Sequence, residues 1–169
     1  LYDGQRRDCR ERVFSLPRTA FAGIQRYGTA MWSGDVSSSW EVLRDQVVIG
    51  QGVCLSGQAY WTSDIGGFFP HPDFSPELYV RWFQWGAFCP VFRAHGTRPD
   101  NEIWSFGAEA EGILAAITAL RYRLLPYIYS CARCVTETGA PLMRAMCADF
   151  AADPVAVARE DQFMFGPAL

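Results

Sequence analysis

The sequence lacks a hydrophobic run that is both long and free of charge. Its most apolar region, residues 113–135, is interrupted by Arg121, Arg123 and Arg133. Each of these charges would cost about 2.5 kcal/mol or more at the centre of a bilayer. The region therefore predicts a buried helix, and we expect no membrane among the partners of this protein.

A concentration of basic residues is also missing. The 15 Lys and Arg residues are interspersed with 18 Asp and Glu residues, which gives a formal net charge of -3. This balance argues against nucleic acid or an anionic membrane surface as a partner. With 50% hydrophobic and 20% charged residues, the composition is instead typical of a globular domain.

Potential metal ligands are few. Histidine occurs only at positions 71 and 95, and six cysteines are scattered through apolar stretches. Cys131-Ala-Arg-Cys134 matches a CxxC pattern, but it lies within a helical pattern and no second pair accompanies it. We therefore expect buried thiols rather than a zinc or redox site, and we expect neither a metal nor an organic cofactor.

Short apolar segments alternate with helical patterns along most of the chain. The predicted strands are residues 13–16, 29–32, 59–61 and 90–93. The predicted helices are residues 40 to about 53, 76–88 and 109–137. This alternation indicates a parallel α/β sheet or barrel. Four strands are half of an eight-stranded barrel, and the other half is expected upstream of Leu1.

The helix boundaries carry recognisable signals. Ser38 and Glu41 form a capping box before the first helix, and Ser75 is the expected N-cap of the second. The third helix is expected to bend at Pro126 and to end at Gly139. Its predicted buried face consists of Ile113, Ile117, Leu120 and Leu124.

A polar residue follows each predicted strand. In chain order these residues are Arg18, Asp35, Asp64 and His95. Catalytic groups of α/β barrels lie at the carboxyl ends of the strands, so these side chains are expected to converge on one face. Taken singly, each also has an ordinary structural explanation as a cap, a carbonyl partner or a loop residue.

Two of these residues are acids that follow a tryptophan by three positions. Asp35 comes after Trp32, and Asp64 repeats the spacing after Trp61. An indole offers an apolar wall, and the intervening Gly34 lets the backbone turn sharply or lets a ligand approach. Asp35 is therefore the leading candidate for a catalytic acid, and Asp64 is the second.

Several motifs occur in a characteristic order. They are Arg18-Thr-Ala-Phe21, Trp32-Ser-Gly-Asp35, Ser39-Trp40, Asp64-Ile-Gly-Gly-Phe68, Arg81-Trp-Phe-Gln-Trp-Gly-Ala-Phe88, Phe92-Arg-Ala-His-Gly96, Arg121-Tyr-Arg-Leu-Leu-Pro-Tyr127, Pro141-Leu-Met-Arg144 and Asp161-Gln-Phe-Met-Phe-Gly166. In this order the sequence resembles family 31 glycoside hydrolases, the α-glucosidases and α-xylosidases, over nearly its whole length. The resemblance implies the carboxyl-terminal half, about strands 5 to 8, of a (β/α)8 TIM barrel in residues 1–139. Residues 140–169 are expected to begin a β-sandwich domain.

The resemblance also implies residue roles. Asp35 matches the general acid/base of the family. The residues expected to bind substrate are Arg18, Trp32, Trp61, Asp64, Phe68 and His95. Arginine and histidine donate hydrogen bonds to hydroxyl groups, and the rings of Trp61 and Phe68 suit stacking on sugar faces. The family's nucleophile is an aspartate two residues after a tryptophan; no Trp-x-Asp occurs here, so the nucleophile is expected in the upstream half.

These implications predict a retaining α-glycosidase that removes terminal α-linked xylose or glucose from oligosaccharides or other glycosides. An α-xylosidase is favoured because the Asp64 and Arg81 segments resemble bacterial enzymes of that kind. The alternative within the family is an α-glucosidase or α-transglycosylase. A sugar-binding protein without catalysis is the alternative from another class, and Asp35 beside Trp32 argues against it.

Overall fold

The computed structural model covers all 169 residues and consists of very short strands between longer helices. The helices are α1 Tyr2–Asp8, α2 Trp40–Leu55, α3 Pro76–Gly86, α4 Ala108–Arg123, α5 Leu125–Thr138, α6 Met146–Asp149 and α7 Pro154–Val157, with 3-10 turns at Ile24–Tyr27 and Ile103–Phe106. The strands are β1 Met31–Trp32, β2 Trp61–Thr62, β3 Met143–Ala145 and β4 Phe163–Phe165. None of the helices combines the length and apolarity needed to span a bilayer.

Four segments run parallel in the order in which they occur in the chain. β1 pairs with β2, and single parallel bridges join Ser15 to Thr29 on one side and Ile65 to Ala94 on the other. These segments correspond to the four predicted strands, although the outer two are held by one bridge each. Because α2 and α3 fill two of the connections, the unit has the βαβ arrangement of a parallel α/β sheet or barrel.

The start of α2 differs from the prediction by one residue. Ser39, not Ser38, is the N-cap, and its hydroxyl accepts a hydrogen bond from the Val42 amide at 3.2 Å. Ser38 is buried, and its hydroxyl donates to the carbonyl of Phe69 at 2.8 Å. The predicted capping box is therefore wrong, because Ser38 joins two loops while Ser39 satisfies the helix amide.

Helix α3 supplies the centre of the main core. It begins at the predicted cap, where the Ser75 hydroxyl accepts from the Leu78 amide at 3.2 Å. Leu78, Tyr79 and Trp82 are completely buried and pack with Leu114 of α4. The aromatic residues on this face of α3 are thus core residues.

The long helix predicted near the end of the chain is divided in two. Helices α4 and α5 meet at Leu124, and α5 ends at Gly139, which has a φ of +77° and stops the helix as predicted. Ile113 is exposed, whereas Leu114 is completely buried. The predicted buried face is therefore wrong by one position at its start.

Arg121 lies on the buried face of α4, although its charge interrupts the apolar sequence. Its guanidinium donates to the carbonyls of Ala87, Cys89 and Pro90 at 2.8, 2.8 and 3.0 Å. These carbonyls follow the end of α3 and have no helical partner. A buried charge is tolerated where polar groups surround it in this way.

The residues after α5 pack on the helices of the parallel unit. β3 and β4 form an antiparallel pair, and α6 and α7 lie between them in the chain. Met143 of β3 is completely buried in a cluster with Cys54 of α2 and Cys89. Leu142 packs with Ile128 of α5. The antiparallel pair is thus attached to α2 and α5.

Candidate active site

The loops that follow β1 and β2 are joined to each other through the backbone. The amides of Phe68 and Phe69 both donate to the carbonyl of Val36, at 2.7 and 3.0 Å. The first loop carries Asp35 and the second carries Asp64. These hydrogen bonds therefore fix the positions of the two acidic residues relative to one another.

Gly67 allows the close approach of these two loops. Its φ is +76°, a conformation that residues with a side chain rarely adopt. A Cβ atom at this position would lie 2.7 Å from the Cα and N atoms of Ser38. Because backbone atoms cannot rotate away, only glycine fits, which gives a physical reason for the second glycine of the Asp64-Ile-Gly-Gly sequence.

Arg98 connects a third loop, the one that carries His95, to the same layer. Its buried guanidinium donates to the carbonyls of Ile65, Gly66, Gly67 and His95 and to the side chains of Ser38 and Asn101. It also lies over the rings of Phe74 and Tyr79, 5.0 and 5.6 Å from their centroids. One side chain therefore holds the Asp64 loop and the His95 loop together.

Asp35 is the accessible acid of the site. Its side chain is 31% exposed, and its Oδ2 atom lies 3.8 Å from Nη1 of Arg18. Gly34, with a φ of +79°, brings the backbone against Arg18: a Cβ there would lie 2.9 Å from the Arg18 Nε atom. The structure thus brings Arg18 and Asp35 together and leaves the Asp35 carboxylate open to a ligand.

Asp64 is enclosed. Its side chain has no exposed surface, its Oδ1 atom pairs with Nη1 of Arg93, and its Oδ2 atom is buried without a hydrogen-bond partner. Burial raises the pKa of Asp64, while the charges of Arg93 and His95 lower it and that of Asp35 raises it. The family resemblance implies that Asp64 belongs to the substrate pocket. In the structure its carboxylate is enclosed, and Arg93 is partly exposed beside it.

Arg93 was not among the predicted site residues. Its guanidinium carbon lies 5.9 Å from the centre of the Trp32 ring, so the side chain links Trp32 with Asp64. A signal for this role was available in the sequence. Arg93 precedes His95 by two positions at the end of an extended segment, and residues two apart on a strand face the same side.

Phe68 and His95 form an aromatic pair beside the acids. Their ring centroids are 5.4 Å apart, with an angle of 43° between the ring planes. Phe68 is partly buried and His95 is exposed. The Thr97 amide donates to the Phe68 carbonyl at 2.9 Å, which holds the two loops at this spacing. Hydrogen-bonding and apolar groups thus adjoin, as they do in binding sites for polar small molecules.

The structure contradicts the prediction that Trp61 stacks on a sugar. Trp61 is only 2% exposed and belongs to the cluster of Cys54, Cys89 and Met143. The pairing of β1 with β2 explains the difference: Met31 is opposite Trp61, and Trp32 is opposite Thr62. Side chains alternate across a strand, so Trp32 and Trp61 point to opposite faces despite their identical spacing from an acid.

The fold and the site together define a class of protein. A parallel α/β unit gathers an accessible acid, cations and aromatic rings at the carboxyl ends of its strands, as barrel enzymes do. Residues 1–131 match the family model of the glycosyl hydrolases family 31 TIM-barrel domain. The chain belongs to this family of glycoside hydrolases, and the predicted family and TIM-barrel region are confirmed.

Curated relatives include both xylosidases and glucosidases. The chain is 45% identical over 170 residues to an alpha-xylosidase of Saccharolobus solfataricus, which covers 99% of this chain and 23% of the relative. It is 40% identical over 167 residues to a probable glucan 1,3-alpha-glucosidase of Oryza sativa subsp. japonica. This match covers 98% of the chain and 18% of the relative. The chain therefore spans less than a quarter of the length of these relatives.

Solved structures of the family superpose closely on the chain. A GH31 alpha-xylosidase from Xanthomonas citri matches with a TM-score of 0.93 and 42% identity, covering 98% of this chain and 20% of that protein. A GH31 alpha-xylosidase from a soil metagenome, complexed with xylose, matches with a TM-score of 0.92 and 39% identity. This match covers 98% of the chain and 28% of that protein.

Proposed function

We propose that this chain is part of the catalytic barrel of a retaining α-glycosidase. In this proposal, residues 1–139 form the carboxyl-terminal half of the (β/α)8 barrel, about strands 5 to 8, and residues 140–169 begin a β-sandwich domain. The four consecutive parallel segments support the first assignment. The antiparallel pairing of β3 with β4 supports the second. The coverage of 18% and 23% of the curated relatives is compatible with a longer complete enzyme.

The position of Asp35 is the observation that carries the proposal. This partly exposed carboxyl group lies directly after β1, 3.8 Å from Arg18, in a loop fixed to the loop of Asp64. Catalytic acids of α/β barrels occupy such positions at strand ends. We assign Asp35 as the general acid/base.

The reaction takes place in two displacements. First, Asp35 in its acid form donates its proton to the glycosidic oxygen while a second carboxylate attacks the anomeric carbon, and the bond from that carbon to the leaving oxygen breaks. Then ionised Asp35 accepts a proton from water, the water oxygen bonds to the anomeric carbon, and the second carboxylate departs. Because the chain contains no Trp-x-Asp segment, we assign the nucleophilic carboxylate to another part of the complete enzyme.

The remaining site residues bind the terminal sugar in this proposal. Arg18 and His95 are exposed enough to donate hydrogen bonds to hydroxyl groups. Phe68 and Trp32 supply apolar surface beside them. Hydrogen bonds that strengthen as charge develops on the sugar accelerate the reaction.

Terminal α-linked xylose is the proposed substrate. The alpha-xylosidase relative shares 45% identity with the chain and the glucan 1,3-alpha-glucosidase relative 40%. Glucose differs from xylose by one hydroxymethyl group, and pockets that exclude such a group discriminate by about tenfold or more. We expect the complete enzyme to hydrolyse an aryl α-xyloside with a kcat/KM at least about tenfold above that for the aryl α-glucoside. The reverse preference would establish the second candidate, an α-glucosidase.

Transglycosylation and loss of catalysis are separate outcomes of the same assay. Transfer of the sugar to an added acceptor sugar, rather than to water, would identify an α-transglycosylase. Binding of xylose without turnover of either aryl glycoside would identify a sugar-binding protein. The accessible carboxyl group of Asp35 favours hydrolysis over simple binding.

His95 and Arg18 are expected to contribute to transition-state binding. In the complete enzyme, His95→Ala or Arg18→Ala should each reduce kcat/KM by the equivalent of roughly 2 to 4 kcal/mol, because one preorganised donor is removed. His71→Ala is the matched control, since His71 is exposed and pairs with Asp73 outside the site. Equal kcat/KM values for the His95 and His71 variants would contradict the assignment of His95.

A further inference from the structure

Arg93 lies between the enclosed Asp64 and the open edge of the site. Its Nη1 atom pairs with Asp64 Oδ1, and its guanidinium carbon lies 5.9 Å from the centre of the Trp32 ring. The Arg93 side chain keeps 27% of its surface exposed, whereas Asp64 keeps none. A ligand at this edge therefore meets the guanidinium and not the carboxylate behind it.

The charge of Asp64 is influenced by groups on each of the neighbouring loops. Arg93 and His95 belong to the fourth parallel segment and its loop, Asp35 belongs to the loop after β1, and Arg98 lies farther along the loop of His95. Of these, Arg93 makes the hydrogen bond to the Asp64 carboxylate. A carboxylate without exposed surface stays ionised only when it is paired. Asp64 is thus the counter-ion of Arg93.

Building on the proposed function, we propose that Arg93 binds a hydroxyl group of the terminal sugar and that Asp64 acts through Arg93, as a positioning residue. A guanidinium has several N–H donors in a fixed plane. Pairing with Asp64 uses the Nη1 donor at one edge of the guanidinium. The remaining N–H donors can bind a hydroxyl oxygen. The contact with the Trp32 ring sets the orientation of the plane beside the loop of Asp35.

A double-mutant cycle in the complete enzyme tests this assignment, with an aryl α-xyloside as substrate. Arg93→Gln and Asp64→Asn are each expected to lower kcat/KM by at least about tenfold. Since Asp64 acts through Arg93, the double variant should lose no more activity than the worse of the two single variants. Independent, multiplying losses would overturn the proposal, and so would an Arg93→Gln enzyme within about twofold of wild type.

A binding measurement separates sugar contact from a purely structural role. In the Asp35→Asn background, calorimetry with xylose should show at least about tenfold weaker binding for Arg93→Gln. Thermal unfolding measured in parallel shows which variants remain folded. If Arg93→Gln alone unfolds because Asp64 is left unpaired, the double variant is used for calorimetry instead, because it removes both charges of the buried pair. Unchanged xylose affinity in a folded variant that lacks Arg93 would overturn the proposal.

Helix α3 offers a matched control pair. Glu77 and Arg81 form an exposed ion pair at 3.8 Å, one helical turn apart and outside the site. Their replacement by glutamine should change neither kcat/KM nor xylose affinity. Failure of the proposed function itself is recognised earlier, because the wild-type enzyme would then neither hydrolyse an aryl α-glycoside nor bind xylose.

Discussion

Asp35→Asn in the complete enzyme is expected to lower kcat/KM by about 10²- to 10⁴-fold for glycosides with poor leaving groups. The asparagine amide is far too weak an acid to protonate the leaving oxygen, so this oxygen must depart as an alkoxide. The dinitrophenolate group of a dinitrophenyl glycoside departs without protonation. With this substrate, the variant should retain much of the wild-type rate of the first displacement. If Asp35 is the acid, the loss of kcat/KM in the Asp35→Asn variant should therefore grow as the leaving group becomes more basic.

The second displacement provides an independent test of the same residue. Without a base at position 35, water is activated poorly, and the intermediate in which the sugar is bonded to the enzyme should accumulate. Azide is an anion that attacks the anomeric carbon without losing a proton. Added azide is therefore expected to restore part of the turnover of a dinitrophenyl glycoside and to yield a glycosyl azide of retained α configuration.

Asp45 gives the control for these experiments. It lies on α2 with its side chain 52% exposed and faces Arg44 at 4.0 Å, so it resembles Asp35 in having an arginine nearby. Asp45→Asn should leave the rate unchanged with every substrate. A near wild-type rate for Asp35→Asn with poor leaving groups, or an absence of azide products, would show that the acid/base lies elsewhere.

The convergence of the strand-end residues was predictable because it depends on chain topology alone. Parallel strands present their carboxyl ends at one edge, so Arg18, Asp35 and His95 are brought to a common region whatever their detailed contacts. The pairing of Arg18 with Asp35 at 3.8 Å follows from this rule. The start of helix α3 was predictable for a different reason, because the Ser75 cap is a local sequence pattern.

The face of the sheet on which the Trp61 side chain lies depends on strand register, which the sequence spacing does not reveal. A shift of one residue moves a side chain to the opposite face of a sheet. Trp32 and Trp61 have the same spacing from an acid, yet Trp61 is opposite Met31 and packs on α2. The comparable error at Ile113 and Leu114 has the same origin, because one residue changes the face of a helix by about 100°.

The roles of the buried arginines depend on contacts between distant parts of the chain. Arg98 donates to carbonyls that lie 31 to 33 residues earlier, and Arg121 donates to carbonyls 31 to 34 residues earlier. An arginine in a sequence shows its charge and not the carbonyls that will surround it. The roles of Arg98 and Arg121 therefore became visible only once the loops were placed together, whereas the spacing of Arg93 from His95 was already present in the sequence.

Residues 1–169 on their own are expected to show no detectable turnover of aryl α-xylosides or α-glucosides. One reason is chemical: a retaining mechanism needs two carboxylates about 5 Å apart, and the accessible acid Asp35 has no nucleophilic partner in this chain under the proposed assignment. The other is structural. The outer parallel segments, at Ser15 and Ala94, are held by single bridges, and unpaired sheet edges favour aggregation.

The assay for the separate chain requires its own Asp35→Asn version, purified in the same way. Aryl alcohol release that is equal for the two proteins would come from a contaminating glycosidase and would leave the expected inactivity of the chain standing. Release by the wild-type chain that disappears in the Asp35→Asn chain would contradict it. Such a result would mean that a carboxylate within residues 1–169 serves as the nucleophile. Asp64 would be an unsuitable one while its side chain stays fully enclosed and paired with Arg93, so activity of this kind would also require that ion pair to open.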